Sequence, residues 1–507
     1  MPGSGLWRTK SVEQSIADTD EPETKLRRDL TWWDLTVFGV SVVIGAGIFT
    51  VTASTAANVT GPAISLSFIM AAIGCGLAAM CYAEFASTIP VAGSAYTFSY
   101  ATFGEFAAWI LGWDLILEFS VGAATVAKGW SSYLSTVFGL SSGAVHLGAV
   151  KIDWGALLIV SVLTVLLAVG TKLSSRVSLV ITTIKVLVVL LVIIVGAFFI
   201  KTANYTPFIP PAEVGSSSRQ GLDQSLFSFV AGGSGSQYGW FGVLAGASIV
   251  FFAFIGFDVV ATTAEETRNP QKDVPRGIIA SLVIVTVLYV AVTVVLSGMV
   301  KYSDLRVADS HPNLSTAFHL NGVDWAAKVI AVGALAGLTT VVMVLMLGQI
   351  RVIFAMCRDG LLPRELARTG SHGTPIRITL IVGFLVAVAA SLTPIEGLEE
   401  IVNVGTLFAF VLVSAGVIVL RRSRPDLPRS FRTPGVPWLP IVAIVACGWL
   451  MLNLAVRTWL FALSWMVVGV IVYFAYSRKH SVLGLPKFGS SNLCPDNQGA
   501  SSNFSTY

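Results

Sequence analysis

Lys185 stands in the middle of an apolar run, VSLVITTIKVLVVLLVIIVGAFF, which holds no other charge. A charge at the centre of a bilayer helix costs about 2.5–3.5 kcal/mol on insertion. The surrounding Leu, Ile, Val and Phe each return roughly 0.3–0.6 kcal/mol, so the segment still inserts with its lysine. Such an ammonium must face protein or water. Ser178, Thr182 and Lys185 fall at i, i+4 and i+7, one polar stripe on an apolar helix. A lysine in this setting can load and release a proton, or sit in a permanent ion pair. The proton-coupling role is the expectation taken forward.

Asp114 and Glu118, in WILGWDLILEFSVGAATVAKGW, are one helical turn apart and share a face with Gly122 and Thr125. Two carboxylates at this depth could hold a cation, an ammonium or guanidinium of a substrate, or a proton. The alternative is a partner on another helix that fixes packing. Direct ligand contact is expected of Glu118 first, with Asp114 behind it or in coupling.

Two segments must position these groups. Val37–Thr50, VFGVSVVIGAGIFT, is broken by Gly45-Ala46-Gly47, and Ile249–Val260, IVFFAFIGFDVV, is broken around Ile255-Gly256. Glycine favours open backbone, and unpaired amides and carbonyls are intolerable against lipid. Each break must therefore be buried or line a cavity. Two interrupted helices in corresponding halves of a chain point to a binding site between them. Amides freed at Ile44, Gly45, Ala46 and Gly47 suit a carboxylate, and loosened carbonyls near Phe252, Ala253 and Ile255 suit an ammonium. Phe251, Phe252, Phe254 and Phe257 surround the second break, and one of them could close over a ligand. Asp258 either caps the new half-helix or joins the coupling network. Met343 is included for its depth in the eighth span, and Glu84, at the inner end of the second, reads as an interfacial group.

Composition agrees. The chain has 507 residues, 54% of them hydrophobic and only 12% charged. Soluble domains carry about 25% charged residues, so this is a membrane protein. The net charge of +4 lies mainly in short loops and does not point to nucleic acid. Cys75, Cys81, Cys357, Cys447 and Cys494 make no metal-type pair and read as buried or tail thiols. The five histidines, His146, His311, His319, His372 and His480, fall in loops or the tail, so no relay is expected. No phosphate loop, H-E-x-x-H or G-x-S-x-G is usefully placed, so neither an enzyme, a metal site nor a cofactor is expected.

Twelve spans of bilayer length follow, at about 32–58, 62–89, 104–136, 153–171, 176–201, 239–265, 277–300, 325–356, 377–393, 398–420, 438–456 and 458–477. The expected organisation is an arm at 1–30, spans one to five at 31–202, an outer loop at 203–238, and spans six to ten at 239–420. A linker at 421–437, spans eleven and twelve at 438–477 and a tail at 478–507 complete it. Arginine and lysine concentrate on one side, at Arg27, Arg28, Arg268, Arg276, Arg358, Arg421, Arg422, Arg429 and Arg478 among others. That side reads as cytoplasmic, with both termini on it. The Ser/Gly-rich runs in 202–238 read as flexible, and the tail from Ser481 as mobile.

VSVVIGAGIF, PVAGSAYTFSYATFGEFAAWILGW, FFAFIGFD followed by AEETRNPQKDVPRGI, and RVIFAMCRDGLLP occur in this order. Together they resemble the amino acid–polyamine–organocation (APC) transporters, most closely the cationic amino acid transporter branch and its bacterial relatives, over about residues 30–478. The resemblance implies an all-α membrane fold of twelve helices, a five-plus-five inverted repeat with helices one and six unwound at the midplane. It implies alternating access, the substrate carboxylate at Gly45, Ala46 and Gly47, and its amino group at the second break with Phe252 as gate. It further implies that Lys185 stands where relatives couple protons, and that Glu118 lies near the substrate side chain. The expected activity is proton-coupled L-amino acid uptake across the plasma membrane, cationic side chains slightly favoured over small neutral ones. An exchanger of amino acids or polyamines, and a non-transporting sensor or subunit, stay open. Protons are the expected coupling ion. The expected partners are the L-amino acid and the lipid bilayer, with the chain a monomer and a small accessory subunit left open.

Overall fold

A computed structural model describes Arg8 and residues 29–45, 47–89, 94–139, 144–147, 150–170, 175–213, 221–232, 237–264, 267–308, 312–368, 374–393 and 395–482. Ala46, His311, His372, Cys494, the rest of the arm and the tail beyond Val482 lie outside the described residues, as do the side chains of Ser178 and His146.

The chain opens into α1 (Trp32–Val43), started by a reciprocal cap. Asp34 N–H donates to the Thr31 hydroxyl, and Thr31 N–H returns a bond to the Asp34 carboxylate at 2.9 Å. Ile44 is extended (ψ 93°), and the chain resumes at Gly47–Val51 as π-helix, then one α turn at Thr52–Thr55 and a second π segment at Ala56–Thr60. Next come α2 (Ile64–Thr88), α3 (Ser94–Thr102) and α4 (Glu105–Phe138). The path continues through α5 (Trp154–Val169) and α6 (Ser175–Ala197) to α7 (Gly239–Val250). Here the helix tightens to 3-10 at Phe251–Phe254, Ile255 turns extended (ψ 139°), and α-helix returns at Val259–Thr262. Gly256 at φ +116° takes a conformation suited to glycine alone. The remaining long helices are α8 (Pro270–Met299), α9 (Asp324–Arg358), α10 (Ile376–Leu392), α11 (Ile395–Ser423), α12 (Trp438–Leu452) and α13 (Val456–Val472).

Among the described residues, eight helical stretches are long and apolar enough to cross a membrane, the first of them, Trp32–Thr88, being 57 residues long and containing both α1 and α2. α5, α10 and α12 are shorter apolar helices of 16, 17 and 15 residues. The helices sort into two packed groups. α8 lies along α1 and α2, with α7 against α2. α4 lies chiefly along α9, with α11, α10 and α5 around it.

The fold is all-helical apart from one short antiparallel hairpin before α5, Ala144–Leu147 paired with Val150–Asp153. The Ser/Gly-rich runs of the loop at 203–238 lie largely outside the described residues; between them, Leu226 N–H donates to Leu454 O and Val456 N–H to Gln224 O, which docks that stretch where α12 meets α13. Glu84 is not an interfacial group. It is buried and takes two bonds from Arg421, at 2.8 and 2.6 Å, and one from Thr433 N–H at 2.8 Å, with Arg429 at 3.5 Å. The tail starts fixed: the Ser481 hydroxyl donates to Glu105 at 2.5 Å, and Val482 N–H to Asp359 O.

The last two helices are tied to the rest by polar bonds. Trp113 and Trp465 stack 4.7 Å apart, and each indole N–H donates to the other's carbonyl, at 2.9 and 3.1 Å. Trp109 donates to Gly469 O, and the Glu400 carboxylate accepts from Ala455 N–H and the Thr458 hydroxyl.

Candidate functional site

A narrow cavity lies between the two breaks. The first broken helix contributes Val42, Val43, Gly45 and Gly47, and the second Phe252, Ile255 and Gly256. α4 adds Glu118, Gly122 and Val126, one turn apart each; α9 adds Val341 and Leu345, and α11 adds Val402. The wall is apolar except for Glu118 and the backbone of the breaks. Apolar lining with a few placed polar groups is what a small-molecule site requires.

The breaks touch each other. A Cβ on Gly47 would overlap the backbone of Ala253, so only glycine permits this approach. Ala253 therefore packs behind the wall, and Ile44 is buried beside it without lining the cavity. Of the four phenylalanines, only Phe252 faces the cavity. Phe251 and Phe257 pack on Phe410, and Phe254 packs on Phe68 and Tyr289. Met343 is buried away from the cavity, and its place is taken by Val341 and Leu345 on either side in sequence. At 100° per residue, a shift of two positions turns a side chain to the far face of a helix.

Lys185 is fully buried. Its Nζ donates to Ser41 O at 2.8 Å, and its stem runs along Gly337 of α9. The lysine thus neither reaches a solvated edge nor pairs with a carboxylate among the described residues. It sits on the last turn of α1, where unpaired carbonyls concentrate negative partial charge. Thr182 is buried on the same helix.

Glu118, Asp114 and Asp258 are all buried, and each keeps one carboxylate oxygen without a hydrogen-bond partner among the described residues. Asp114 faces Gly405 of α11 and does not line the cavity; nor does Asp258.

Three further residues build the breaks, and sequence reasoning passed over them. The Tyr289 hydroxyl of α8 donates to Val43 O at 2.7 Å, holding the end of α1. Asn403 of α11 donates through Nδ2 to Ser248 O at 2.7 Å and Ile249 O at 3.2 Å, holding the end of α7. The Tyr133 hydroxyl of α4 donates to Phe49 O at 2.6 Å, and Gly129 makes room for the Thr50 side chain. Polar side chains inside apolar spans are the signal that could have found Tyr289 and Asn403.

This arrangement can hold a small molecule with an acidic and a basic end between two interrupted helices. The family profile described as amino acid permease matches residues 30–476, and the chain belongs to that family, within the APC superfamily. It is 44% identical over 497 residues to the branched-chain amino acid permease BcaP of Bacillus subtilis, covering 95% of this chain and 100% of that one. It is 42% identical over 490 residues to the methylthioribose transporter of the same organism, covering 95% and 99%. Cationic amino acid transporter 4 of Homo sapiens is 34% identical over 436 residues, 84% of this chain and 64% of that one. The protein is a multi-pass membrane permease, not an enzyme.

Proposed function

We propose that the chain is a proton-coupled secondary transporter of L-amino acids that favours apolar, branched side chains. The observation that carries this reading is the cavity wall. Gly122, Val126, Val341, Leu345 and Val402 offer an apolar pocket opposite the two breaks. The identity to branched-chain permeases supports it. The substrate carboxylate meets the backbone at Gly45–Gly47, its ammonium meets the second break, and Phe252 gates the site. Lys185 exchanges a proton on the last turn of α1, and so biases that half-helix between two positions. Twelve spans cross the plasma membrane, α1 and α2 counted apart and the three shorter helices included, with both termini in the cytoplasm. The two repeats are spans one to five and six to ten.

A second reading rests on Glu118, whose unpartnered oxygen suits a cationic side chain such as that of arginine, lysine or ornithine. The two part in proteoliposomes. Labelled leucine and arginine are offered with and without an inward proton gradient to wild type, Glu118→Gln and Lys185→Ala. Leucine accumulation that needs the gradient and Lys185 is the expected result. Arginine accumulation lost in Glu118→Gln favours the cationic reading, and methylthioribose uptake alone would replace both. Exchange without accumulation in wild type would remove proton coupling, and equal accumulation by Lys185→Ala would remove the lysine from it.

A further inference from the structure

Tyr238 is the one non-glycine residue at positive φ among the described residues. Its backbone, at φ 58° and ψ −173°, lies in a region that is almost a glycine preserve. A side chain held there must be fixed by its surroundings, and this one is. Tyr238 is buried at the start of α7, and its N–H donates to Val59 O at 2.8 Å. Its hydroxyl donates to Ala57 O. Both acceptors belong to the end of the first broken helix, where carbonyls lack helical partners. The ring meets Tyr302 edge-on at 5.2 Å, in the short helix Tyr302–Ala308. Arg306 of that helix pairs with Glu213 at 3.0 Å. Two glycines complete the contact: Gly242 lies on Val59 O, and Gly246 on the Thr60 side chain.

We propose that Tyr238 is a positioning residue that joins the segment Gly47–Thr60 to α7, so that these two halves of the broken helices move as one gate. The proposal rests on the transport reading above and adds to it. One residue grips the first helix at two carbonyls and starts the second helix itself. Movement of either half alone would separate Gly47 from Ala253 and take the site apart. Movement of both together would keep that contact and load the bonds that tie the pair to its surroundings: Tyr133 to Phe49 O from α4, Asn403 to Ser248 O and Ile249 O from α11, Ser67 to Val243 O from α2, and Ser248 to Leu450 O on α12.

The test uses full-length protein in lipid, with Cys494→Ser and paired spin labels. Asn58→Cys with Trp240→Cys reports within the gate, and Asn58→Cys with Phe138→Cys reports from gate to α4. In wild type, leucine is expected to redistribute the second distance and leave the first a single narrow peak. In Tyr238→Phe, which keeps the ring, the first distribution is expected to widen at least twofold, and the uptake KM to rise about fivefold at unchanged thermal stability. Tyr238→Gly, which relieves the backbone conformation but loses the hydroxyl, should widen it as much. A first distance as narrow as wild type in both variants would overturn the proposal. Wild type that transports nothing would defeat the transport reading, while the distances would still decide the clamp.

Discussion

Gly122→Ala measures whether the apolar wall selects the substrate. A Cβ at this position would stand 3.5 Å from Leu345 Cδ1 and 3.9 and 4.0 Å from the Val402 methyls. These are ordinary contacts, so the protein accepts the methyl without shifting. The helix itself gains roughly 0.5–1 kcal/mol from Gly→Ala, so loss of folding is not expected. The methyl instead occupies room that a branched side chain would use. Displacing one buried methylene forfeits about 0.8 kcal/mol of transfer energy. In a close-fitting pocket, one carbon more or less is worth about 1–3 kcal/mol, or 10–200-fold. Uptake of leucine and isoleucine should therefore fall at least tenfold in kcat/KM, and uptake of alanine should stay within about twofold. Initial rates in proteoliposomes, with each amino acid also tested as competitor, give both numbers. Parallel loss of alanine and leucine, or no loss of either, would refute the assignment of this wall to the substrate side chain.

Gly47→Ala should abolish uptake and exchange together, because the Ala253 backbone cannot retreat from a Cβ; activity within twofold of wild type would show that the breaks need not touch. Glu84→Gln leaves Arg421 and Arg429 against a neutral amide, a loss of about 3 kcal/mol for a broken buried pair, and should lower the melting temperature in detergent without changing the leucine KM. Tyr133→Phe removes one bond, worth about 0.5–1.5 kcal/mol, and should move the Asn58–Phe138 distance roughly two- to tenfold in population toward the open form; an unchanged distribution would assign the closure elsewhere.

The sequence carried the parts of this site that offend against a local rule. Glycines in mid-span, a lone lysine and a glutamate in apolar helices are all conspicuous on the chain itself. Gly45, Gly47, Glu118, Phe252 and Ile255 do line the cavity. What stayed hidden depends on partners far along the chain. Glu84 meets Arg421 across 337 positions, and Tyr289 meets Val43 across 246, and no periodicity encodes either. At Met343 span depth was legible but rotation about the helix was not, and it is Val341 and Leu345 that line the cavity. Tyr238 looked like a loop residue beside a glycine, and only its φ reveals it.

The stitching of α12 and α13 bears on how such a chain could be shortened. A chain cut after Leu420 would retain every residue of the cavity. It would also strip Glu84 of its arginines, Glu400 of its two donors, and the Trp109 and Trp113 indoles of their acceptors. Each such group, left facing hydrocarbon, costs several kcal/mol. The two final helices are thus not an accessory that a smaller ancestor could lack with this same surface. A ten-helix relative must carry apolar residues at these positions, and the loss of Glu, Arg and Trp there would mark it as self-sufficient from its amino acids alone.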